Sequence, residues 1–160
     1  MKAIVRDIVL ALVLALAISL LIRPTIVKEI SMLPSLQEGN YLMISKQAYR
    51  FGDVSRDDII VFHSAIMDGE GKEKLLIKRI IGIPGDKLTI TKGRVYRNGF
   101  RIQEPYIMGG IEGETSGELY NYIVPDGFVF VMGDNREVSL DSRSEEVGPV
   151  RISDIIGKAT

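Results

Sequence analysis

Two residues of this chain have side chains that could act together in catalysis, Ser31 and Lys78. Ser31 opens the segment Ser-Met-Leu-Pro-Ser-Leu (31–36), where a proline interrupts an apolar stretch. Lys78 stands between the apolar runs 75–77 and 80–81. Burial disfavours an ammonium ion, so a lysine in an apolar site can be neutral near pH 7 and take a proton from a serine hydroxyl. The alternative is a lysine that faces solvent from a half-exposed strand.

A second polar cluster runs from Gly133 to Arg143 and follows an apolar strand. It predicts either a hairpin loop with local ion pairs or a set of side chains that hold the lysine and the serine in place. His63, the single histidine, raises the option of a Ser-His-Asp triad. Because it ends an apolar strand and has no motif around it, we expect it at the surface instead.

The composition limits the function classes. The chain has 160 residues, about one domain, and a net charge of −1 without a basic run, which argues against a nucleic-acid surface. It has no cysteine, which excludes a disulfide scaffold, a thiol nucleophile and a thiolate metal site. One histidine leaves no histidine-rich metal cluster.

The chain begins with an apolar run from Ile8 to Ile22, followed by Arg23-Pro24. Extended to Val27 as a helix, this run would measure about 30 Å, the thickness of a bilayer core. We therefore expect residues 1–26 to form a cytoplasmic stub and an uncleaved transmembrane anchor, with the N-terminus inside. A cleaved signal peptide is the alternative, and a buried core helix would need a larger surrounding domain.

Residues 27–160 predict an antiparallel β domain, because short apolar or β-branched runs alternate with Gly, Asp and Asn. Asn98-Gly99 between alternating strands is typical of a hairpin with a type I′ turn. The glycine-rich stretch Met108–Asn121 has no period and predicts a long surface loop. Strands are predicted over Tyr41–Ser45, Asp58–His63, Leu75–Ile83, Lys87–Thr91, Arg94–Ile102 and Gly127–Met132.

Together these segments resemble bacterial type I signal peptidase, the membrane-bound Ser-Lys protease that removes signal peptides, in its compact Gram-positive-like form. Ser31–Leu36 resembles the nucleophile motif Ser-Met-x-Pro-Thr-Leu, with Ser35 in place of Thr. Ile77–Asp86 resembles the lysine motif, and Met132–Arg143 resembles the motif Gly-Asp-Asn-Arg…Ser-x-Asp-Ser-Arg. The stretch Gly148–Ala159 resembles the last strand. Three motifs in the family's order behind an anchor make the resemblance specific.

The resemblance implies that Ser31 is the nucleophile and Lys78 the general base. Ser139 would form a hydrogen bond with the lysine. Two ion pairs, Asp141 with Arg143 and Asp134 with Arg79, would brace the site. Shallow pockets for the small residues before the cleavage site would be lined by Val27, Met32, Leu36, Leu76 and Ile77.

The same resemblance implies the architecture and the setting. The fold would be one transmembrane helix followed by a coiled antiparallel β-sheet or barrel, as in self-cleaving repressors. The catalytic domain would lie outside the cytoplasm on a single-pass protein of the cell membrane. Its partners would be the signal peptides of secreted preproteins and the lipid bilayer, without nucleic acid, metal or organic cofactor.

Glu29 is the main departure from the family, which commonly has serine or glycine at this position. In an extended segment Glu29 and Ser31 share a face, so an ionised carboxylate would repel the developing oxyanion or pair with Lys78. Glu29 is therefore a candidate modulator of activity, unless the strand twists and it faces water. In milder departures, Asp57 replaces a frequent glycine and Glu137-Val138 replaces an Asp-Asn pair.

Two other functions compete with an active signal peptidase. One is a weakly active or non-proteolytic relative that assists the assembly of secreted or pilus subunits. Glu29 favours it, and the intact Ser31 and Lys78 oppose it. The other is a soluble self-cleaving repressor, which the apolar N-terminal run argues against.

Overall fold

The computed structural model describes residues 2–49, 52–110 and 113–159, apart from the side chains of residues 3 and 17–20. Within these ranges one α-helix, α1 (Lys2–Leu21), precedes a series of short strands. A 3-10 helix, Ile152–Asp154, separates the last two strands. The strands are β1 (Ile22–Ile26), β2 (Tyr41–Ser45), β3 (Ile59–Met67), β4 (Glu73–Gly82), β5 (Lys87–Thr91), β6 (Arg94–Arg97), β7 (Phe100–Arg101), β8 (Leu119–Ile123), β9 (Phe128–Met132), β10 (Val150–Arg151) and β11 (Ile155–Ala159).

The strands form two antiparallel sheets. The larger sheet has seven strands in the order β1-β2-β11-β3-β4-β9-β10, and the smaller has four in the order β7-β6-β5-β8. The longest pairing joins β3 to β4 and places Ile60 opposite Lys78. The predicted mainly β, antiparallel fold is confirmed, in the form of two sheets.

Most predicted strands lie where the apolar runs placed them, and two strands were not predicted. Leu119–Ile123 pairs with β5, so the end of the glycine-rich stretch belongs to the small sheet. Residues 111 and 112 of that stretch lie outside the described residues. Ile22–Ile26 pairs with β2, and the chain switches directly from helix to sheet at Leu21.

The helix therefore ends earlier than its apolar pattern predicts, because Ile22–Ile26 gains backbone partners in the sheet instead. Pro24 cannot continue a helix, and it is tolerated in β1 because this strand lies at the edge of the sheet. The predicted division at residue 26 thus falls at the end of β1. Among the residues whose side chains are described, no helix is long and apolar enough to cross a membrane.

The core lies on both faces of the large sheet, as the continuous apolar runs of β4 and β9 require. One buried cluster contains Ile80 and Val131, and a second, towards the small sheet, contains Ile81 and Phe130. Successive side chains on a strand point to opposite faces, so neighbours in sequence enter different clusters. Lys78 lies on the same face of β4 as Ile80, a member of the first cluster, and is itself buried.

Two turns need a left-handed backbone. Asn98 and Gly99 have φ of 55° and 86°, as the predicted type I′ hairpin turn requires. Asp57 has φ of 69°, a conformation that glycine adopts most readily and aspartate tolerates. This explains why glycine suits that position in the sequences that the chain resembles.

Gly157 lies where β11 passes closest to β2, and a Cβ there would overlap the Ser45 carbonyl oxygen and lie 2.8 Å from Ile44 Cγ2. We expect Gly157→Ala to lower the free energy of unfolding by about 1–3 kcal/mol, because backbone atoms of β2 must move. Denaturant titration measures the change. Gly69→Ala, which adds a Cβ with no atom within 4 Å, is the matched control. Equal stability of the two variants would contradict this account of the contact.

Candidate active site

Ser31 begins a tight turn that follows the irregular segment 27–30. The turn is closed by backbone hydrogen bonds from Leu33 N to Ile30 O, 3.2 Å, and from Leu36 N to Met32 O, 2.9 Å. Ser31 is 9% exposed, and its neighbour Met32 is buried. The turn fixes the backbone on both sides of the hydroxyl, so that its orientation does not depend on a flexible loop.

Lys78 reaches Ser31 from the middle of β4. Its Nζ lies 2.8 Å from Ser31 Oγ and donates a second hydrogen bond to Ile77 O at 3.1 Å. The side chain is 1% exposed. The structure thus joins two residues that are 47 positions apart into one buried hydroxyl–amine contact.

Burial lowers the pKa of Lys78 from 10.5 to about 8. The carboxylates of Asp141 and Glu29 act in the opposite direction, while Lys74 and Arg143 lower the pKa further. The burial effect is the largest of these contributions. A substantial fraction of the amine is therefore neutral slightly above neutral pH, the state that can accept a proton.

The loop after β9 packs directly on the serine turn. Asn135 N donates to Ser31 O at 3.0 Å, and Asn135 Nδ2 donates to Ile30 O at 3.3 Å. Gly133 makes this approach possible, because a Cβ there would lie 2.5 Å from both Ser31 O and Ser139 Cβ. The glycine of this motif thus has a steric role at the site.

Arg79 links three parts of the site. Its Nε and Nη2 donate to the two carboxylate oxygens of Asp134 at 2.8 and 2.6 Å, which is the predicted pair. Its Nη1 donates to Asp57 O at 2.8 Å, and Nη2 also reaches Ser35 Oγ at 3.3 Å. The guanidinium lies 4.1 Å from the ring centre of Tyr106. Because Asp134 is fully buried, this pair tightly connects β4 to the loop after β9.

Asp141 and Arg143 also pair as predicted, with Nε to Oδ1 at 2.8 Å and Nη2 to Oδ2 at 2.9 Å. Asp141 also accepts from the Gly133 amide at 2.9 Å. Burial would raise the pKa of Asp141, but Arg143 and the Gly133 N–H together hold it below the usual range. Asp141 is therefore a fixed anion, and its charge is balanced by its own arginine.

Ser139 differs from its prediction. Its Oγ is buried beside Asp141, whose pKa it helps to lower, and the two hydrogen bonds of Lys78 Nζ go to Ser31 and Ile77 instead. The hydroxyl lies against the position where Gly133 lacks a Cβ. The structure brings Ser139 into the site without the hydrogen bond to the lysine.

Two cavities meet at Ser31. The first, about 480 Å³, is lined by Val27 and Ile77, and the second, about 450 Å³, by Leu76 and Lys78. Of the five residues predicted to line substrate pockets, three contribute to the cavity walls, namely Val27, Leu76 and Ile77. The other two do not: Met32 is 1% exposed, and Leu36 packs against the cluster of Val27, Leu42, Ile44, Val61 and Ala159.

Glu29 lies in the same groove as Ser31, and its side chain is 42% exposed. It lines both cavities, and its Oε1 lies 2.5 Å from Lys74 Nζ rather than against Lys78. Sequence reasoning did not single out Lys74. The alternation of β4 places it on the same face as Lys78, which is a signal that could have identified it.

His63 lies away from this chemistry. Its side chain is 51% exposed, and Nδ1 is 3.2 Å from Glu73 Oε2. The expected surface position is confirmed, although β3 continues beyond this residue to Met67.

A buried network centred on Arg136 is a further support that the sequence did not reveal. Arg136 donates to Gly133 O at 3.0 Å, to Thr115 Oγ1 and to Glu104 Oε1. The side chains of Arg136, Thr115 and Glu104 are all buried. They connect the glycine-rich stretch and the segment after β7 to the loop that contacts Ser31.

A buried serine next to a lysine of lowered pKa, on an antiparallel β scaffold, defines the class of serine hydrolases with a lysine base. A family model described as signal peptidase, peptidase S26, matches residues 1–160. The chain belongs to this family of peptidases and is a signal peptidase enzyme.

Two relatives and a solved structure support this family assignment. The chain is 37% identical over 143 residues to signal peptidase I of Bacillus caldolyticus, which covers 83% of this chain and 74% of that protein. It is 40% identical over 139 residues to the probable signal peptidase I-1 of Synechocystis, covering 82% and 69%. The crystal structure of a signal peptidase I from Enterococcus faecalis superposes with a TM-score of 0.56 at 28% identity, covering 68% of this chain and 98% of that one.

The buried amine should destabilise the folded protein. A pKa of about 8 in the folded state against 10.5 in the unfolded state corresponds to roughly 3 kcal/mol at pH 7. The unfolded state binds more protons between these two values, so this penalty is complete below about pH 8 and disappears as the pH rises to 10.5.

We therefore expect Lys78→Met to raise the free energy of unfolding at pH 7 by up to roughly 3 kcal/mol, with a gain that shrinks above pH 8. Urea titrations of both proteins from pH 7 to 10.5 measure the difference. Lys87→Met makes the same change on an exposed strand position and should have little effect. A pH-independent gain would reject the buried-amine explanation.

Proposed function

We propose that this protein is a membrane-bound endopeptidase that removes signal peptides with Ser31 as nucleophile and Lys78 as general base. The observation that carries the proposal is the 2.8 Å contact between Lys78 Nζ and Ser31 Oγ, both buried. A hydroxyl needs a base within hydrogen-bond distance to become a nucleophile, and the lowered pKa of Lys78 suits that task.

In acylation, Ser31 Oγ attacks the scissile carbonyl carbon while its proton passes to Lys78 Nζ. The carbonyl oxygen becomes an oxyanion, for which the Ser31 N–H is a donor on the same residue. The C–N bond then breaks, and Lys78 gives the proton to the leaving amine. The signal peptide remains attached to Ser31 as an ester.

In deacylation, Lys78 is neutral again and takes a proton from a water molecule as that water attacks the ester carbon. The ester C–O bond breaks, and the proton returns to Ser31 Oγ. The signal peptide leaves with a free carboxylate. These steps use only side chains of the chain and water.

The two cavities divide the substrate at the scissile bond. Lys78 must reach the leaving nitrogen, so the cavity that it lines takes the first residues of the mature protein. The other cavity, lined by Val27 and Ile77, takes the small residues before the cleavage site. An extended substrate would lie between the segment 27–31 and β4 as an added strand.

The helix α1 would anchor the enzyme in the cell membrane as a single span, with the N-terminus in the cytoplasm and the β domain outside. Support comes from the apolar run Ile8–Ile22 of the sequence and from the exposed apolar side chains of α1. Exposed at 46–65% are Ile4, Val5, Ile8, Val9, Leu10, Leu12, Val13, Leu14, Leu16 and Leu21.

Cleavage of a preprotein with an Ala-x-Ala site by the purified full chain in detergent tests the mechanism. Ser31→Ala and Lys78→Met should each reduce cleavage by at least about 10⁴-fold, because nucleophile and base act as a unit. Lys87→Met should cleave like the parent. For the parent, kcat/KM should fall about tenfold per pH unit below about 8, as Lys78 becomes protonated.

Cleavage by a well-folded Ser31→Ala variant would refute the mechanism. A folded parent without activity would instead favour a relative that binds secreted or pilus subunits during assembly, for which the unusual Glu29 beside Ser31 is the supporting observation.

The anchor is tested by extraction from membranes of expressing cells. The parent should stay in the pellet in alkaline carbonate and require detergent for release. Leu10→Arg/Leu14→Arg should shift the protein towards the carbonate supernatant, since each arginine near the centre of a span costs about 3 kcal/mol on insertion. Release of the parent by carbonate alone would contradict the anchor.

A further inference from the structure

A second charged contact crosses the groove next to the Ser31–Lys78 pair. Glu29 Oε1 lies 2.5 Å from Lys74 Nζ, and the two side chains are 42% and 43% exposed. Glu29 precedes Ser31 by two residues, and Lys74 precedes Lys78 by four on β4. The same two pieces of chain are therefore joined twice, once by each pair.

The ion pair belongs to the site and not to a distant surface. On β4, Lys74 and Lys78 share a face, because strand side chains alternate. Glu29, Lys74 and Ser31 each line both cavities. Any extended substrate that fills these cavities would contact the pair and remove water from it.

An unpaired carboxylate at Glu29 would oppose catalysis in two ways. It would favour the ammonium form of Lys78, which cannot accept a proton from Ser31. It would also repel the negative charge that develops on the scissile carbonyl oxygen. Lys74 offsets both effects, because it places a positive charge in direct contact with the carboxylate and itself lowers the pKa of Lys78.

The charged groups that face Lys78 are organised as two such pairs. Asp141 and Glu29 are the anions, and each contacts its own cation, Arg143 or Lys74. Lys28 is a further cation, and it lies in the wall of the cavity that Lys78 lines. The pull of each anion on protonated Lys78 is therefore opposed by the cation that the anion contacts directly.

We propose that Lys74 is a positioning residue of the peptidase, which holds the Glu29 carboxylate away from Lys78 and balances its charge in the substrate groove. The proposal rests on the Ser31–Lys78 mechanism proposed above. It explains how the chain carries a glutamate where the sequences it resembles commonly have serine or glycine.

The test is the pH dependence of kcat/KM for preprotein cleavage by the full chain in detergent. Lys74→Gln should move the midpoint up by about one pH unit and lower kcat/KM at pH 7 about tenfold, because the freed carboxylate stabilises protonated Lys78. Glu29→Gln should move the midpoint down. The double variant Glu29→Gln/Lys74→Gln should return it close to the parent value.

Two controls separate charge from structure. Lys74→Arg keeps the cation and should keep the parent midpoint. Lys72→Gln removes an exposed lysine from the same hairpin, one that pairs with Glu70, and should leave the profile unchanged. A purely structural role for Lys74 would lower activity evenly at all pH values, and Glu29→Gln would not rescue it.

The outcomes are distinct from those that concern the peptidase mechanism itself. If the parent does not cleave in a Ser31-dependent manner, the mechanism fails and this inference fails with it. If the parent cleaves but Lys74→Gln leaves the midpoint in place, only the inference is overturned. Should Lys74→Gln not fold, an unchanged midpoint in Glu29→Gln alone overturns it.

Discussion

The structure depends on the burial of one amine. Lys78 is 1% exposed, and its Nζ meets Ser31 Oγ rather than a carboxylate. An ammonium ion in such a place is unfavourable, so the fold must supply the energy that keeps the lysine there. It does so with core on both faces of β4, where Ile80 and Ile81 are completely buried. The burial that this strand provides is therefore the main cause of the lowered pKa of the lysine.

The other half of the pair requires a different kind of support. Ser31 lies outside the sheets, on a turn that the loop after β9 holds through hydrogen bonds from the backbone and the side chain of Asn135. That loop is fixed in turn by Arg79, Arg143 and Arg136, each of which binds a buried carboxylate. Three arginines thus connect the parts of chain that meet at the serine. Their carboxylate partners are neutralised locally, and this keeps the surroundings of Lys78 short of free negative charge.

Much of this arrangement could be predicted from the sequence, because it depends on local signals. Apolar runs identified most strands, Asn98-Gly99 identified the hairpin, and motif order identified Ser31 and Lys78 as partners. The end of the helix at Leu21 was not predicted, since the apolar run reaches Ile22 and residues 22–26 become a strand only through pairing with β2. The contact of Glu29 with Lys74 and the network of Arg136 were also missed, because they join residues that no local pattern connects. The resemblance predicted a hydrogen bond from Ser139 to the lysine, and here the fold positions the residue without that bond.

Lys78 and Arg79 are neighbours in sequence, yet they serve opposite sides of one strand. The lysine points into the groove, and the arginine points towards Asp134 and Tyr106. Side chains of β4 alternate between the two faces of the sheet. A shift of the pairing register by one residue would therefore put an arginine, which stays charged, in the place of the lysine. The pairing of Ile60 with Lys78 fixes this register, whereas nearer the tip of the β3–β4 hairpin the register shifts between His63 and Met67. Length variation between homologous chains is thus tolerable at the tip of the β3–β4 hairpin and not in the residues that lead from it to the lysine.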